Sequence, residues 1–192
     1  RSVPFWKWLW WRAVAAPPKF LKMRVTTRVS AIGKIVESAD PRGETLLLGL
    51  IGDPWVVVRE AVASGLGKLK STTAVPDLCR LVTSDDSPQV RRIAAQSLAA
   101  LGDPRGIDAI LKLGVYPRSL SVSLEYISRF GEVAVPRLIA SLANENIAVA
   151  TVAIAALGRM GSRVAVPKLL KTLYEGREEL RLPLLRVLAD LD

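Results

Sequence analysis

Apolar pairs three residues apart recur along this chain at intervals of about thirty residues, and this period restricts its fold more than any other feature. The pairs are Ile32/Ile35, Leu66/Leu69, Leu98/Leu101, Ile127/Phe130, Leu157/Met160 and Leu188/Leu191. Their first members follow one another at 34, 32, 29, 30 and 31 residues. Three-residue spacing stacks two side chains on one face of a helix, where a neighbouring helix can cover them. Each pair closes a first helix, usually at a glycine.

A second signal recurs just after each pair. SADPRGETLLLGL at 38–50 matches LGDPRGIDAILKL at 101–113, with Asp in a capping position and Pro preset for a first helical turn. Elsewhere Ala-Val-Pro-x-Leu stands at 74–78, 134–138 and 165–169, placing Pro76, Pro136 and Pro167 at the first position of a second helix. Asp53-Pro54 and Ser87-Pro88 open the next first helices. The stretch 85–113 holds one complete unit. Six first helices and five second helices are expected, the last helix, over about 178–190, having no second helix after it. One such pair has too little partner surface to bury its apolar faces, so the pairs must stack. The fold expected is all-α, a right-handed α-solenoid over 25–192 whose concave face is lined by second helices.

Composition agrees. Half of the residues are hydrophobic but only 6% aromatic, so the core is aliphatic. At 192 residues the chain is long enough to bury a substantial core. The absence of histidine removes the commonest general base and the commonest metal ligand. The single Cys79 excludes an internal disulfide framework and fits a reducing compartment. No apolar run reaches the ~18 residues of a membrane-spanning helix. The expected location is cytoplasmic, peripheral on a membrane at most.

With these residues in view, the chain resembles HEAT repeats, specifically the short HEAT-like repeats named after phycobilisome lyases. The motif stands as Val90-Arg91, Ala94, Leu98 and Leu101-Gly102-Asp103-Pro104-Arg105, and the resemblance covers roughly 25–192. Proteins of this fold include chromophore lyases, scaffolds, tRNA- and DNA-binding modules and an iron-dependent hydroxylase. The resemblance therefore implies shape more than activity. The hydroxylase's metal ligands are His–Glu pairs, which a chain without histidine cannot supply. The resemblance also implies a ladder between neighbouring units, formed by an Asp and an Arg six positions later. Asp53/Arg59 and Asp85/Arg91 have that spacing. Later units depart from it: Val149-Ala150 replaces Val-Arg, and the fourth unit at 119–131 has neither partner. That unit, entered through Gly114, Tyr116 and Pro117, is where a bend or a docking point is expected.

Charge is distributed unevenly. Net charge is +9, of which residues 1–42 hold +7. Residues 1–24 form a segment of their own, with Trp6, Trp8, Trp10 and Trp11 beside Phe5 and Leu9, and with Lys19, Lys22 and Arg24 following. Pro4 suits the start of a short helix and Pro17-Pro18 its end. On a helical wheel Phe5, Trp6, Leu9, Trp10, Ala13 and Val14 share one face. Three roles compete for this segment. It caps the open end of the solenoid, it rests on an anionic membrane surface with Lys19, Lys22, Arg24 and Arg28 as the lipid-facing cations, or it docks in a groove of a protein partner.

Chemistry finds little support. Asp85-Asp86 before Pro88 reads as a helix cap, Cys79 lies on or near an apolar stripe as a small buried hydrophobe, and no glycine-rich phosphate loop is present. No catalytic residue, cofactor or metal is assigned. A chromophore-lyase role follows from the resemblance alone, with Glu125 and Tyr126 of the fourth unit as the places to look. Nucleic-acid binding through Arg24, Arg28, Arg59, Arg91 and Arg92 is a weaker alternative, because residues 43–192 are nearly neutral. The reading favoured by the sequence is a non-enzymatic protein-interaction scaffold, an accessory subunit whose Trp-rich segment docks it to a membrane surface or a larger complex.

Overall fold

The computed structural model describes residues 25–191. All of the regular structure among them is helical: α1 (Val25–Ser38), α2 (Arg42–Leu48), α3 (Val56–Lys68), α4 (Val75–Ser84), α5 (Pro88–Leu101), α6 (Ile107–Leu113), α7 (Leu120–Ser128), α8 (Val135–Ser141), α9 (Ile147–Arg159), α10 (Val166–Glu175) and α11 (Glu178–Leu191). Odd-numbered helices are the first helices and even-numbered ones the second helices. Six of one and five of the other are present, as the spacing predicts. The residues divide into two compact units between Leu101 and Gly102.

Within the first unit α3 packs against α1 on one side and α5 on the other, while α2 and α4 lie along α3 and α5. Ile35, Leu47, Val62, Leu66 and Leu78 are fully buried there. In the second unit α9 packs against α7 and α11, and α8 and α10 lie beside α9 and α11. Ile127, Leu138, Ile154, Leu157, Leu169 and Leu184 fill that core. The fourth first helix, α7, is short, and its tight entry depends on Gly114: a Cβ there would come within 2.8 Å of Val152 Cγ1 and 3.0 Å of Ser123 Oγ. Ser123 is fully buried and donates to the Ile110 carbonyl at 2.6 Å.

Every first helix except the last ends in a residue of left-handed backbone, at Ala39, Lys70, Gly102, Gly131 and Gly161. This shared landmark corrects one register. Four of these residues directly follow the second member of an apolar pair, but Ala39 lies four residues beyond Ile35. The position in α1 equivalent to Leu66 and Leu98 is therefore Ile35 rather than Ile32. Packing agrees. A Cβ on Gly65, one residue before Leu66, would lie 2.8 Å from Val36, one residue after Ile35. A Cβ on Gly67 would meet Ser97 at the matching step between α3 and α5. Pro76, Pro136 and Pro167 occupy the second helical position instead of the first, because Val75, Val135 and Val166 begin those helices. The substitution is harmless there, since the first-turn N–H groups have no intrahelical acceptor.

Candidate interaction site

Asp53 and Asp85 sit in the turns that open α3 and α5. Each first fixes its own turn: Asp53 Oδ1 accepts the Trp55 N–H and Asp85 Oδ1 accepts the Ser87 N–H, both at 2.9 Å. Their remaining acceptor capacity faces the preceding first helix. Arg59 donates through Nε and Nη2 to the two Asp85 carboxylate oxygens at 2.7 and 2.9 Å, and through Nη1 to the Asp53 carbonyl at 2.8 Å. Arg91 repeats the second of these bonds, donating to the Asp85 carbonyl at 2.6 Å. The Asp–Arg spacing of six thus links a side chain to its own turn's carbonyl, while the carboxylate pairing runs to the arginine of the unit before. Proximity to the Asp85 carboxylate holds the Arg59 guanidinium above its ordinary pKa, so it stays charged under all working conditions.

Arg28 is the first rung. Its guanidinium is bound by the Asp53 carboxylate, with both side chains buried. The sequence reading placed Arg28 among the lipid-facing cations. A residue 6% exposed and ion-paired in the core cannot meet a headgroup, and it belongs to the ladder instead. The other residues assigned to docking, Phe5, Trp6, Trp8, Leu9, Trp10, Trp11, Lys19, Lys22 and Arg24, lie outside the described residues.

Hydroxyls of the turn before α4 make a parallel link to α2. Ser71 and Thr73 both donate to Glu44 Oε1 of the unit before, and these bonds lower the carboxyl's pKa below its ordinary value. The remaining arginine pairs lie at the surface: Arg42 with Asp40 at 2.8 Å, Arg80 with Asp77 at 2.7 Å, Arg105 with Asp103 at 2.6 Å, Arg129 with Glu125 at 2.7 Å and Arg137 with Asp108 at 2.8 Å. The Arg105 side chain also keeps the Asp103 carboxyl below its usual range.

The places named for chemistry resolve in structural terms. Cys79 is half-buried in α4, more accessible than its apolar stripe suggested. Tyr126 is buried, with the Arg129 guanidinium 5.2 Å from its ring centre, and Glu125 is exposed and paired to the same arginine. Asp86 is exposed beside the ladder carboxylate, and so is Arg92. Among the described residues no cluster of Cys, Asp and Glu could hold a metal ion, and no helix is long and apolar enough to cross a membrane. An open cavity of about 240 Å³ in the second unit is bordered by Lys168, Thr172, Glu175 and Arg177. Arg177 there donates to the Leu142 and Glu145 carbonyls, both at 3.3 Å.

Sequence reasoning missed a set of apolar side chains left at the surface. Trp55 is 50% exposed, and Tyr174, Leu182 and Leu185 are 84%, 70% and 54% exposed. The signal for the last two was available: α11 carries two apolar stripes where one suffices to pack it.

Residues 28–119 match the family described as HEAT repeats. No curated protein sequence matches the chain. Among solved structures, human deoxyhypusine hydroxylase in complex with glycerol is similar at 15% identity and a TM-score of 0.47, over 94% of each chain. The complex of CpcE and CpcF of phycocyanin lyase from Nostoc sp. PCC7120 is similar at 19% identity and a TM-score of 0.49, over 95% of this chain and 81% of that one. Neither likeness reaches a level that bears on function. The polar ladder and the family match fall on the same stretch, residues 28–119, whose paired helices have the form of HEAT repeats.

Proposed function

We propose that this protein is an interaction scaffold, an accessory subunit that docks to an anionic membrane surface through residues 1–24 and presents its repeats to a protein partner. One observation carries this reading. Seven arginines of the repeats are engaged by carboxylates within the fold, and Arg28 and Arg59 are largely buried in doing so. Residues 1–24, by contrast, have six cations, no acid and four tryptophans. Trp favours the headgroup region of a bilayer, and cations beside it add about 1 kcal/mol each near an anionic surface. The repeats supply the stiff, stacked surface on which a partner can be held.

Flotation of the full chain on vesicles of phosphatidylcholine with and without phosphatidylserine tests this function. Binding should require the anionic lipid, fall steeply with salt, and disappear when Trp6, Trp8, Trp10 and Trp11 are all replaced by Ser. Equal flotation of that variant overturns the membrane role. Retention on duplex DNA or RNA with a steep salt dependence would favour a phosphate-backbone binder instead.

A further inference from the structure

We propose that the exposed patch Trp55-Val56-Val57 is a seat for the chain's own N-terminal segment, taking the apolar face of residues 5–14 in the absence of lipid. The contact belongs to the free protein, so it stands whether or not the segment also docks to a membrane.

The patch sets α3 apart from the regular first helices after it. In the register of Leu66, Leu98, Leu157 and Leu188, Trp55-Val56-Val57 stands where α5 opens with Ser87-Pro88-Gln89. At the same place α9 opens with Asn146-Ile147-Ala148 and α11 with Arg177-Glu178-Glu179. Trp55, Val56 and Val57 are all exposed although α1 and α5 flank α3 on its two sides. The patch is therefore not a repeat face left open where the sequence stops. Its backbone is also preset, because the Trp55 N–H donates to Asp53 and Arg28 holds Asp53 in turn.

The N-terminal segment joins the fold beside this patch. With Ile35 of α1 equivalent to Leu66 of α3, Arg24 corresponds to Trp55 and Val25 to Val56. The ion pair of Arg28 with Asp53 sets the first turn of α1 against the turn that opens α3. Packed helices lie about 8–10 Å apart, whereas the chain from Val14 to Val25 can span up to about 35 Å. Pro17-Pro18 interrupts any helix there, so the chain can turn back on itself.

Tethering and polarity select this occupant. A short flexible tether gives its end an effective concentration of about millimolar, well above that of a second copy in micromolar solution. The other surface within reach, the outer face of α1, is polar. Gly65 of α3 faces α1, while its equivalent on α1, Lys34, and Ser30 one turn earlier are both exposed. Phe5, Trp6, Leu9 and Trp10 gain by leaving water against Trp55, Val56 and Val57 and gain nothing comparable against Ser30 and Lys34. A cover favoured only several-fold over the open state protects Trp55 and shifts the thermal midpoint little.

Tryptophan fluorescence of the full chain without lipid tests the seat, so a failure of flotation cannot be mistaken for a failure of this contact. Replacing Trp6, Trp8, Trp10 and Trp11 by Phe keeps the apolar face, and replacing them by Ser removes it. Trp55 is the only tryptophan left in either chain. In the Phe chain Trp55 should emit at shorter wavelength and be quenched by acrylamide several-fold less than in the Ser chain. Val57→Asp should abolish that protection in the Phe chain and leave the Ser chain unchanged. The protection should also be the same from low to high micromolar concentration, as a contact within one chain requires. Equal quenching of the two chains overturns the proposal. So does protection that fades on dilution, which would assign the patch to a second copy.

Discussion

The two units build one repeat with different materials. In the first, successive helices are tied by polar groups: Arg28 to Asp53, Arg59 to Asp85, Ser71 and Thr73 to Glu44. In the second, the positions equivalent to Asp53 and Arg59 are Asn144 and Ala150, and the positions equivalent to Ser71 and Glu44 are Ser162 and Val135. Asn144 still accepts the Asn146 N–H at 2.9 Å, so the turn survives the loss of charge. Close packing takes over the rest, through Gly114 against Ser123 and Val152 and Gly158 against Val187. A repeat therefore needs its turn and its apolar row. The means of fixing one unit against the next can be ionic or steric.

Breaking the ladder should have the largest effect. Arg59→Ala leaves the Asp85 carboxylate buried without its countercharge, and should lower stability by about 3–5 kcal/mol. A chemical denaturation midpoint close to that of the native chain would contradict the role given to the ladder. In the second unit, Gly158→Leu forces a side chain into Val187 and should cost about 1–3 kcal/mol, measured the same way. The hydroxyl pair sharpens the contrast. Ser71→Ala removes a partner of the Glu44 carboxylate and should cost about 1–2 kcal/mol. Ser162→Ala deletes a buried hydroxyl oxygen with no hydrogen-bond partner, and should leave stability unchanged or slightly raised. Equal losses at both serines would erase the distinction.

pH separates the units more weakly. The pKa of Glu44 is lowered by Ser71 and Thr73, so its contribution is complete above the ordinary glutamate range and is lost as pH falls through its folded value. Thermal midpoints of the native chain should therefore drop on acidification more steeply than those of Ser71→Ala. Least affected should be Arg137→Ala, whose pair with Asp108 is about half exposed on both sides. No change in midpoint is expected there.

Much of this was legible in the sequence because helix pairs leave periodic marks. The apolar row, the Asp-Pro turns and the glycines at 102, 131 and 161 located the first and second helices. Arg28 was not legible, and the reason is specific. The left-handed residue after α1, Ala39, follows Ser38, where the later turns have an apolar residue before it, so Ile32/Ile35 took the place of the true register three residues on. In the corrected register Arg28 precedes Ile35 by seven residues, as Arg59 precedes Leu66 and Arg91 precedes Leu98. Misaligned, it looked like part of the basic segment before it. A ladder between neighbouring units was implied by the resemblance, but the spacing of six alone did not say that each carboxylate meets the arginine of the unit before.

The proposed division of labour gives the cations of the repeats the task of tying successive helices and the Trp-rich basic segment that of docking the protein. It is tested most directly by measuring thermal midpoint and flotation on phosphatidylserine vesicles side by side for Arg28→Gln and for the four-Trp variant. Arg28→Gln should lower the midpoint but float like the native chain below its melt, while the four-Trp variant should keep the midpoint and stay at the bottom of the gradient. Loss of flotation in folded Arg28→Gln, or full flotation without the tryptophans, would contradict it.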